Sequence, residues 1–361
     1  MSDRPRVLIC ANAATRNEIV AGEGVARLEQ IADWEWLPSE GICTRPGVWG
    51  GPSEDPVEIE ALRAKLANVD VLLVCHGSPL IDAAMLDAAP RLKLIGELEG
   101  DRFANRIDVE AAAARGITVT DTTHGSSLPV AEWALALAII GLRNAGAQFR
   151  RLIAGEEFRR SRDDYGYRHG ELTGQTVGLI GLGHISRRLI ELLAPFRCPL
   201  LVHDPYVPKE LALAVGAQLT SLERVMSDSD VVICLAPLTP KTHRMIGKVE
   251  LDWLKPESVF VNVSRGPIVD PDALIERAKR GDVMVSLDVF DPEPIPAGSA
   301  IRDLPNVFLS PHIAGVTAAC RPRFFSFMVD EIERFVAGHA TMFDLSSRVL
   351  ANRRGSDPAS S

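Results

Sequence analysis

Short runs of apolar residues alternate with helical patterns along most of the chain. The runs lack the regular polar positions of a half-exposed strand, so they are typical of strands buried in a parallel sheet. The predicted strands lie at residues 6–10, 70–75, 92–95, 117–120, 177–180, 200–203, 231–235, 259–263, 283–287 and 307–309. Strands and helices that alternate in this way predict an α/β protein with two doubly wound domains.

Two longer helices stand apart from this alternation. One is predicted over residues 129–143 and is too hydrophobic to lie free on a surface, so we expect it to pack between domains or between subunits. The other is predicted over residues 314–337, which is long enough to return to the first domain. Residues 150–170 are charged and predict a surface loop, and residues 351–361 form a polar tail that we expect to be disordered.

Composition and charge narrow the function classes. The 361 residues are 46% hydrophobic and 24% charged, as in a soluble globular protein, and the length favours two domains. A net charge of −9 with interspersed acids and bases argues against a nucleic-acid surface and against binding to anionic membranes. The longest apolar run, at 134–142, is too short to cross a bilayer, and no signal peptide is visible. A cytoplasmic protein is therefore expected.

The cysteines point the same way. Six of them are scattered along the chain without a CxxC pair, and several lie within apolar strands. We expect reduced core thiols, with neither a disulfide framework nor a zinc site.

A glycine turn follows the predicted strand at residues 177–180. Gly181 permits a tight turn, and Gly183 lets the backbone approach a phosphate at the start of the next helix. Asp204 ends the following strand, where a carboxylate can bind ribose hydroxyls. The third position of the pattern is Ser186 instead of glycine or alanine, which is still small enough for close packing. The arrangement is typical of a dinucleotide-binding unit.

Three polar residues follow later predicted strands, where ligands of open α/β sheets bind. Arg265 can bind a carboxylate and polarise a carbonyl, and His312 can transfer a proton near neutral pH. Glu293 can fix the tautomer of the histidine and favour its protonated form. Each residue alone has a structural alternative: a satisfied histidine, a solvated turn carboxylate or a buried paired arginine. Together, behind a nucleotide-binding turn, they indicate hydride transfer at a 2-hydroxy or 2-keto acid.

The sequence resembles the D-isomer-specific 2-hydroxyacid dehydrogenases, which include hydroxypyruvate and glyoxylate reductases and phosphoglycerate dehydrogenase. The resemblance covers nearly the whole chain. Besides the three polar segments, it is carried by residues 89–95 (APRLKLI), 107–112 (IDVEAA), 115–119 (RGITV), 130–136 (VAEWALA), 171–183 (ELTGQTVGLIGLG) and 235–242 (LAPLTPKT).

This resemblance implies a Rossmann NAD-binding domain, residues 126–317, inserted into a flavodoxin-like substrate domain built from residues 1–125 and 318–350. It makes Arg265 the substrate-binding arginine, Glu293 the partner of the histidine, and His312 the proton donor and acceptor. The implied cofactor is NAD, which Asp204 favours over NADP because a carboxylate repels the 2′-phosphate. The residues implied to bind it are Gly181, Gly183, His184, Ile185, Asp204, Pro237, Thr242, Val263, Gly315 and Asp288, the last through the nicotinamide carboxamide.

The first domain departs from the family pattern. Where relatives carry a glycine-rich loop that holds the substrate carboxylate, this chain has a charged segment from Glu97 to Asn105. By position, Glu99 and Gly100 are implied to bind substrate together with Arg265 and His312. Two interpretations of Arg102 stay open: it reads an anionic or polar group of the substrate, or it pairs with Asp101 on the surface. Trp133 also stands where relatives commonly have histidine.

The resulting hypothesis is an NAD-dependent, homodimeric oxidoreductase that interconverts a small 2-keto acid and its (R)-2-hydroxy acid. One alternative is an NAD(H)-sensing binding protein, similar to a corepressor, with little turnover. Another is a dehydrogenase of a larger sugar-derived or phosphorylated 2-hydroxy acid.

Overall fold

The structure is a computed structural model that describes residues 4–41, 51–99, 106–156, 170–346 and 349–351. Gly100, Asp101, Arg102, Cys43, residues 157–169 and the tail from residue 352 lie outside the described residues. The chain divides into two compact units, residues 1–126 with 318–361, and residues 127–317.

In the first unit the described residues form a five-stranded parallel sheet. Its strands are β1 (Arg6–Ala11), β2 (Asp33–Pro38), β3 (Val71–Val74), β4 (Leu94–Glu97) and β5 (Thr118–Asp121). The helices between them are α1 (Ala13–Glu18), α2 (Glu23–Ile31), α3 (Pro56–Lys65), α4 (Ala83–Asp87) and α5 (Val109–Ala114). The strand order β2-β1-β3-β4-β5 is the flavodoxin-like order, so the predicted fold class of this unit is confirmed.

In the second unit the described residues form a seven-stranded parallel sheet. Its strands are β6 (Val177–Ile180), β7 (Leu200–His203), β8 (Gln218–Leu219), β9 (Val231–Cys234), β10 (Val259–Asn262), β11 (Met284–Leu287) and β12 (Val307–Leu309). Its helices are α6 (Ser127–Leu142), α7 (Ala145–Ile153), α8 (His184–Leu193), α9 (Lys209–Ala214), α10 (Leu222–Asp228), α11 (Lys248–Asp252) and α12 (Pro271–Lys279). The order β12-β11-β10-β9-β6-β7-β8 reverses between β6 and β9, as in a Rossmann fold.

Apolar residues on alternate sides of each strand build a core on both faces of the second sheet. Val231 and Ile233 of β9 lie in the core on the α6 and α8 side, whereas Val232 and Cys234 lie in the core on the other side. This two-sided burial explains why the strands are continuous apolar runs in the sequence.

The final helix returns to the first unit but is shorter than predicted. It spans Arg321–Val336 (α13) and does not begin at residue 314, because residues 314–320 form turns and irregular backbone and Pro322 occupies its first turn. Phe324, Phe325 and Met328 of α13 are fully buried in the core of the first unit.

The apolar helix is longer than predicted. By length and composition alone, the 20-residue helical stretch Thr123–Leu142, which contains the apolar run at 134–142, is sufficient to cross a membrane. Its packing accounts for its composition, since Ala131, Ala134 and Leu137 are fully buried in the core of the second unit.

Candidate active site

The glycine turn after β6 combines a constrained position with an open one. Gly181 has a φ of +98°, and a Cβ there would lie 3.1 Å from the backbone of Ala236, so the turn requires glycine. Gly183 is exposed, and a Cβ there would meet nothing within 4 Å. It precedes α8, whose start carries no side-chain cap. The turn therefore leaves space and helix N–H groups for an anionic group.

Ser186 has a larger role than its small size indicated. Its side chain is fully buried, and its hydroxyl donates to the Gly181 carbonyl at 2.7 Å. The third position of the pattern thus stabilises the first. From the sequence this serine was expected only to be small enough to pack, and its hydroxyl was the available signal.

Asp204 ties the end of β7 to the same turn. Its carboxylate accepts hydrogen bonds from the backbone N–H groups of Leu182 at 2.8 Å and Tyr206 at 2.9 Å. A carboxylate has about four acceptor positions, so these two bonds leave capacity for ribose hydroxyls.

The loop after β9 is held by its own threonines. The Thr242 hydroxyl donates to the Pro237 carbonyl at 2.6 Å and accepts from the Thr239 N–H at 2.7 Å. Of the other implied cofactor residues, Ile185 and Val263 are buried, whereas His184, Pro237 and Gly315 are half-buried.

Arg265 follows β10 on a loop fixed by Asn262. The buried Asn262 amide accepts from the Ser264 N–H at 3.0 Å and donates to the Arg265 carbonyl at 3.2 Å. The half-exposed guanidinium donates to the Ser264 carbonyl at 2.7 Å. At Gly266 a Cβ would lie 1.6 Å from the Phe290 carbonyl oxygen, so only glycine lets this loop approach the loop that carries Glu293.

Glu293 and His312 form a direct pair. Glu293 Oε1 lies 2.6 Å from His312 Nδ1, and the side chains are 37% and 44% exposed, respectively. Because a carboxylate only accepts, Nδ1 carries the proton of this bond and Nε2 faces away from it. Among the described residues, Arg265 is hydrogen-bonded to neither of them; its loop meets the Glu293 loop through the backbone at Gly266.

The backbone of His312 has an unusual conformation. Its φ is +53°, in the left-handed region that residues with a Cβ rarely adopt. Its N–H donates to the backbone carbonyls of Asp288 and Ser310 at 2.9 and 3.0 Å. These bonds hold the histidine in a conformation that the chain does not favour by itself.

The Asp288 carboxylate holds the loop of His312 through hydrogen bonds. It is fully buried and accepts from the Ser310 hydroxyl at 2.6 Å and from the N–H groups of Ile313 and Ala314 at 3.1 and 2.9 Å. The resemblance implied a bond from Asp288 to the nicotinamide carboxamide. In the structure the buried carboxylate is hydrogen-bonded to the histidine loop, and its bond to the carboxamide stays a prediction.

Trp133 of α6 extends this network. Its indole N–H donates to Ser310 Oγ at 3.0 Å, and Ser310 in turn donates to Asp288. A chain of two hydrogen bonds therefore connects α6 to the loop of His312. The sequence indicated only that Trp133 replaces a common histidine.

Of the residues implied to bind substrate in the first unit, Glu99 follows β4 and Gly100 lies outside the described residues. Glu99 Oε2 lies 3.5 Å from Nε2 of His76. His76 was not predicted as a site residue, although it follows the buried strand β3 as the other candidates follow their strands.

A glycine turn at the reversal point of a Rossmann sheet, together with a histidine–carboxylate pair at its carboxyl edge, defines a dinucleotide-dependent oxidoreductase. The sequence profile of the D-isomer specific 2-hydroxyacid dehydrogenase NAD-binding domain matches residues 135–314. The chain belongs to the family of D-isomer-specific 2-hydroxyacid dehydrogenases, and the second unit is its NAD-binding domain.

Similar proteins support this assignment. Glyoxylate reductase of Aeropyrum pernix is 32% identical over 295 residues, which are 78% of this chain and 84% of that protein. D-3-phosphoglycerate dehydrogenase of Methanocaldococcus jannaschii is 32% identical over 281 residues, and the match spans only about half of that protein, 52%. The apo structure of D-mandelate dehydrogenase from Rhodotorula graminis has the same fold, with a TM-score of 0.78 and 24% identity over 95% of this chain and 98% of that one.

Proposed function

We propose that this oxidoreductase interconverts a 2-keto acid and the corresponding (R)-2-hydroxy acid. The observation that carries the proposal is the 2.6 Å pair of Glu293 and His312 at the carboxyl edge of the NAD-binding sheet. A sensor of NAD would need the glycine turn but would not need a positioned proton donor.

The residues around the glycine turn fit the cofactor. Gly183 leaves open space at the uncapped start of α8 for a pyrophosphate, and Asp204 retains acceptor capacity for ribose hydroxyls. The proposed binding residues are Gly181, Gly183, His184, Ile185, Asp204, Pro237, Thr242, Val263, Gly315 and Asp288, the last through the nicotinamide carboxamide. We further propose that Asp204 selects NAD over NADP, because its carboxylate would repel a 2′-phosphate. When bound, NAD supplies or accepts the hydride.

The three polar residues take separate roles on the substrate. The Arg265 guanidinium binds the substrate carboxylate and polarises the carbonyl, since its donors match planar oxygens. His312 donates a proton from Nε2 to the forming hydroxyl in reduction and accepts it in oxidation. Glu293 holds the proton of Nδ1 and stabilises the imidazolium.

Substitution of the histidine tests this mechanism. In the His312→Gln variant we expect kcat for 2-keto acid reduction to fall by about 100- to 10,000-fold, because the proton donor is lost. NADH binding should be unchanged. The measurement is the loss of NADH absorbance with a panel of 2-keto acids, and the exposed His339→Gln variant is the matched control.

Two results would contradict the proposal. Unchanged turnover in the His312→Gln variant would exclude the histidine as proton donor. A wild-type protein that binds NADH tightly and oxidises it with none of the keto acids would favour the NAD-sensing alternative.

We also infer that the protein is a homodimer. Phe149, Leu152 and Ile153 lie on one side of α7 and are 64%, 67% and 72% exposed, which is unusual for large apolar residues at helical spacing. A second copy of the chain would remove this apolar surface from water. The cytoplasmic location stays a prediction.

A further inference from the structure

A charged cluster lies at the carboxyl edge of the first sheet. His76 follows β3 and Glu99 follows β4, and β3 pairs with β1 at the point where the strand order reverses. In doubly wound sheets this is the edge and the position where ligands bind. The cluster is therefore placed where the first unit is expected to hold a small molecule.

A buried ion pair contacts His76 of this cluster. Arg106 and Glu97 are both fully buried, and their side chains meet at 2.5 Å. Nη2 of the same guanidinium lies 3.2 Å from Nδ1 of His76. Since a guanidinium can only donate, Nδ1 must accept, and the imidazole carries its one proton on Nε2.

Glu99 lies in contact with both His76 and Arg106. His76 Nε2 lies 3.5 Å from Glu99 Oε2, and Arg106 contacts both residues, the imidazole at Nδ1 and Glu99 at its backbone carbonyl, 3.4 Å from Nη1. The side chains of His76 and Glu99 are each 35% exposed, in contrast to the buried pair beneath them. Glu99 is thus the accessible end of a chain of polar contacts that begins at the buried ion pair.

The charge of the cluster selects what it can bind. Arg106 and Glu97 are paired with each other in the buried part of the cluster, so the accessible charged group among its described residues is the Glu99 carboxylate. A carboxylate in this position attracts a hydrogen-bond donor or a cation and repels a phosphate or a second carboxylate.

We propose that Glu99 determines substrate specificity by binding a hydrogen-bond donor, a hydroxyl or a cationic N–H group, on the side chain of the 2-keto or 2-hydroxy acid. The proposal rests on the proposed function, whose substrate Glu99 would help to bind. It makes phosphorylated and dicarboxylic acids poor substrates. The experiment below distinguishes whether the donor that Glu99 binds is a hydroxyl or a cationic group.

Binding of 2-hydroxy acids to the protein with NADH tests the proposal without turnover, because both ligands are then in the reduced form. Calorimetry would compare glycerate, lactate, 3-phosphoglycerate and a guanidinium-bearing 2-hydroxy acid. We expect glycerate or the guanidinium-bearing acid to bind about tenfold or more tightly than lactate, the gain typical of a hydrogen bond to a charged group. The phosphorylated acid should bind more weakly than glycerate.

The Glu99→Gln variant should reduce these differences. It keeps the shape and an acceptor oxygen but removes the charge, so a preference for the cationic acid should fall about tenfold, while a preference for glycerate should fall less. Binding of 3-phosphoglycerate should become tighter. Glu99→Asp, which keeps the charge, should still reject the phosphorylated acid. The exposed Glu60→Gln variant of α3 is the control, and its binding preferences should equal those of the wild type.

Two results would overturn the proposal: a wild-type protein that binds 3-phosphoglycerate most tightly, or preferences that are the same in Glu99→Gln and wild type. Failure of the proposed function gives a different result. Absence of keto-acid reduction would contradict the enzymatic activity, whereas the binding preferences would still test Glu99.

Discussion

Gly266 joins two loops of the candidate active site that are far apart in the sequence. In a Gly266→Ala variant the new Cβ would overlap the Phe290 carbonyl, so the loops of Arg265 and Glu293 must separate. We expect about 1–3 kcal/mol lower stability of the protein, as for other overpacked sites. We also expect kcat to fall by about 100-fold, because displacements near 1 Å misalign reacting groups. Thermal unfolding and steady-state kinetics measure the two effects.

Gly298 provides the matched control. It lies in the segment after Glu293, and a Cβ there would meet nothing within 4 Å. Gly298→Ala should therefore leave both stability and kcat close to wild type. Equal behaviour of the two variants would contradict the assigned role of Gly266.

The buried thiols allow a second prediction for single residues. Burial raises the pKa of Cys10, Cys75 and Cys234 to about 12. At pH 8 roughly one in 10,000 of these groups is then a thiolate, the reactive form. We expect them to resist iodoacetamide in the folded protein and to react after unfolding, as measured by mass spectrometry of peptides. Rapid labelling of all three in the folded state would contradict this burial.

Single residues of the candidate active site could be predicted from the sequence where only a few residue types can perform the required chemistry. Arg265, Glu293 and His312 could be selected because few residue types transfer protons or bind carboxylates. The constraint on Gly266 could not be predicted, because it depends on the distance to Phe290 in another loop. The burial of Asp288 could not be predicted either, because an aspartate after a strand is equally compatible with an exposed ligand-binding position.

Helix α6 acts on the candidate active site through one hydrogen bond. Trp133→Phe keeps the ring but removes the donor to Ser310, so Ser310 and Asp288 should hold the His312 loop less firmly. We expect a roughly fivefold lower kcat, corresponding to one hydrogen bond of about 1 kcal/mol, with NADH affinity unchanged. The measurement is kcat and the Kd for NADH.

Trp253→Phe is the control for this prediction, because Trp253 is partly buried in the other core of the same unit. A kcat that falls equally in both variants would indicate a general packing effect. An unchanged kcat in Trp133→Phe would show that Ser310 and Asp288 suffice to hold the loop.

Elements could be predicted where both faces are buried. Strands such as β9 and β10 are unbroken apolar runs because they lie in the middle of their sheet. Strands β2 and β8 lie at sheet edges, carry polar residues and were not predicted. The start of α13 was misplaced because residues 314–320 precede it as turns and irregular backbone, although Ala318 and Ala319 are good helix formers.

The exposed face of α7 leads to a prediction for the whole assembly. The double substitution Phe149→Glu and Ile153→Glu places two charges on the apolar face, and we expect it to convert a dimer to a monomer in light scattering. Val57→Glu on α3 is the control, since Val57 is also an exposed apolar residue, at 75%. A wild-type monomer, or a variant that stays dimeric, would contradict the interface on α7.

The division of the chain into units depends on information that local patterns lack. Hydrophobic periodicity indicates two sheets, but it does not indicate that the last helix belongs with the first one. Only the family resemblance implied a discontinuous domain. In the structure α13 supplies Phe324, Phe325 and Met328 to the core of the first unit.

This discontinuity has a consequence for synthesis on the ribosome. The first sheet is translated early, yet one side of its core lacks α13 until residues 321–336 have emerged. The second unit, although translated later, receives all its elements sooner and can fold first. A chain truncated at Thr317 and released from the ribosome should therefore contain a protease-resistant second unit and a readily cleaved first unit. Protease resistance of both units in that chain would show that the first sheet is stable without its last helix.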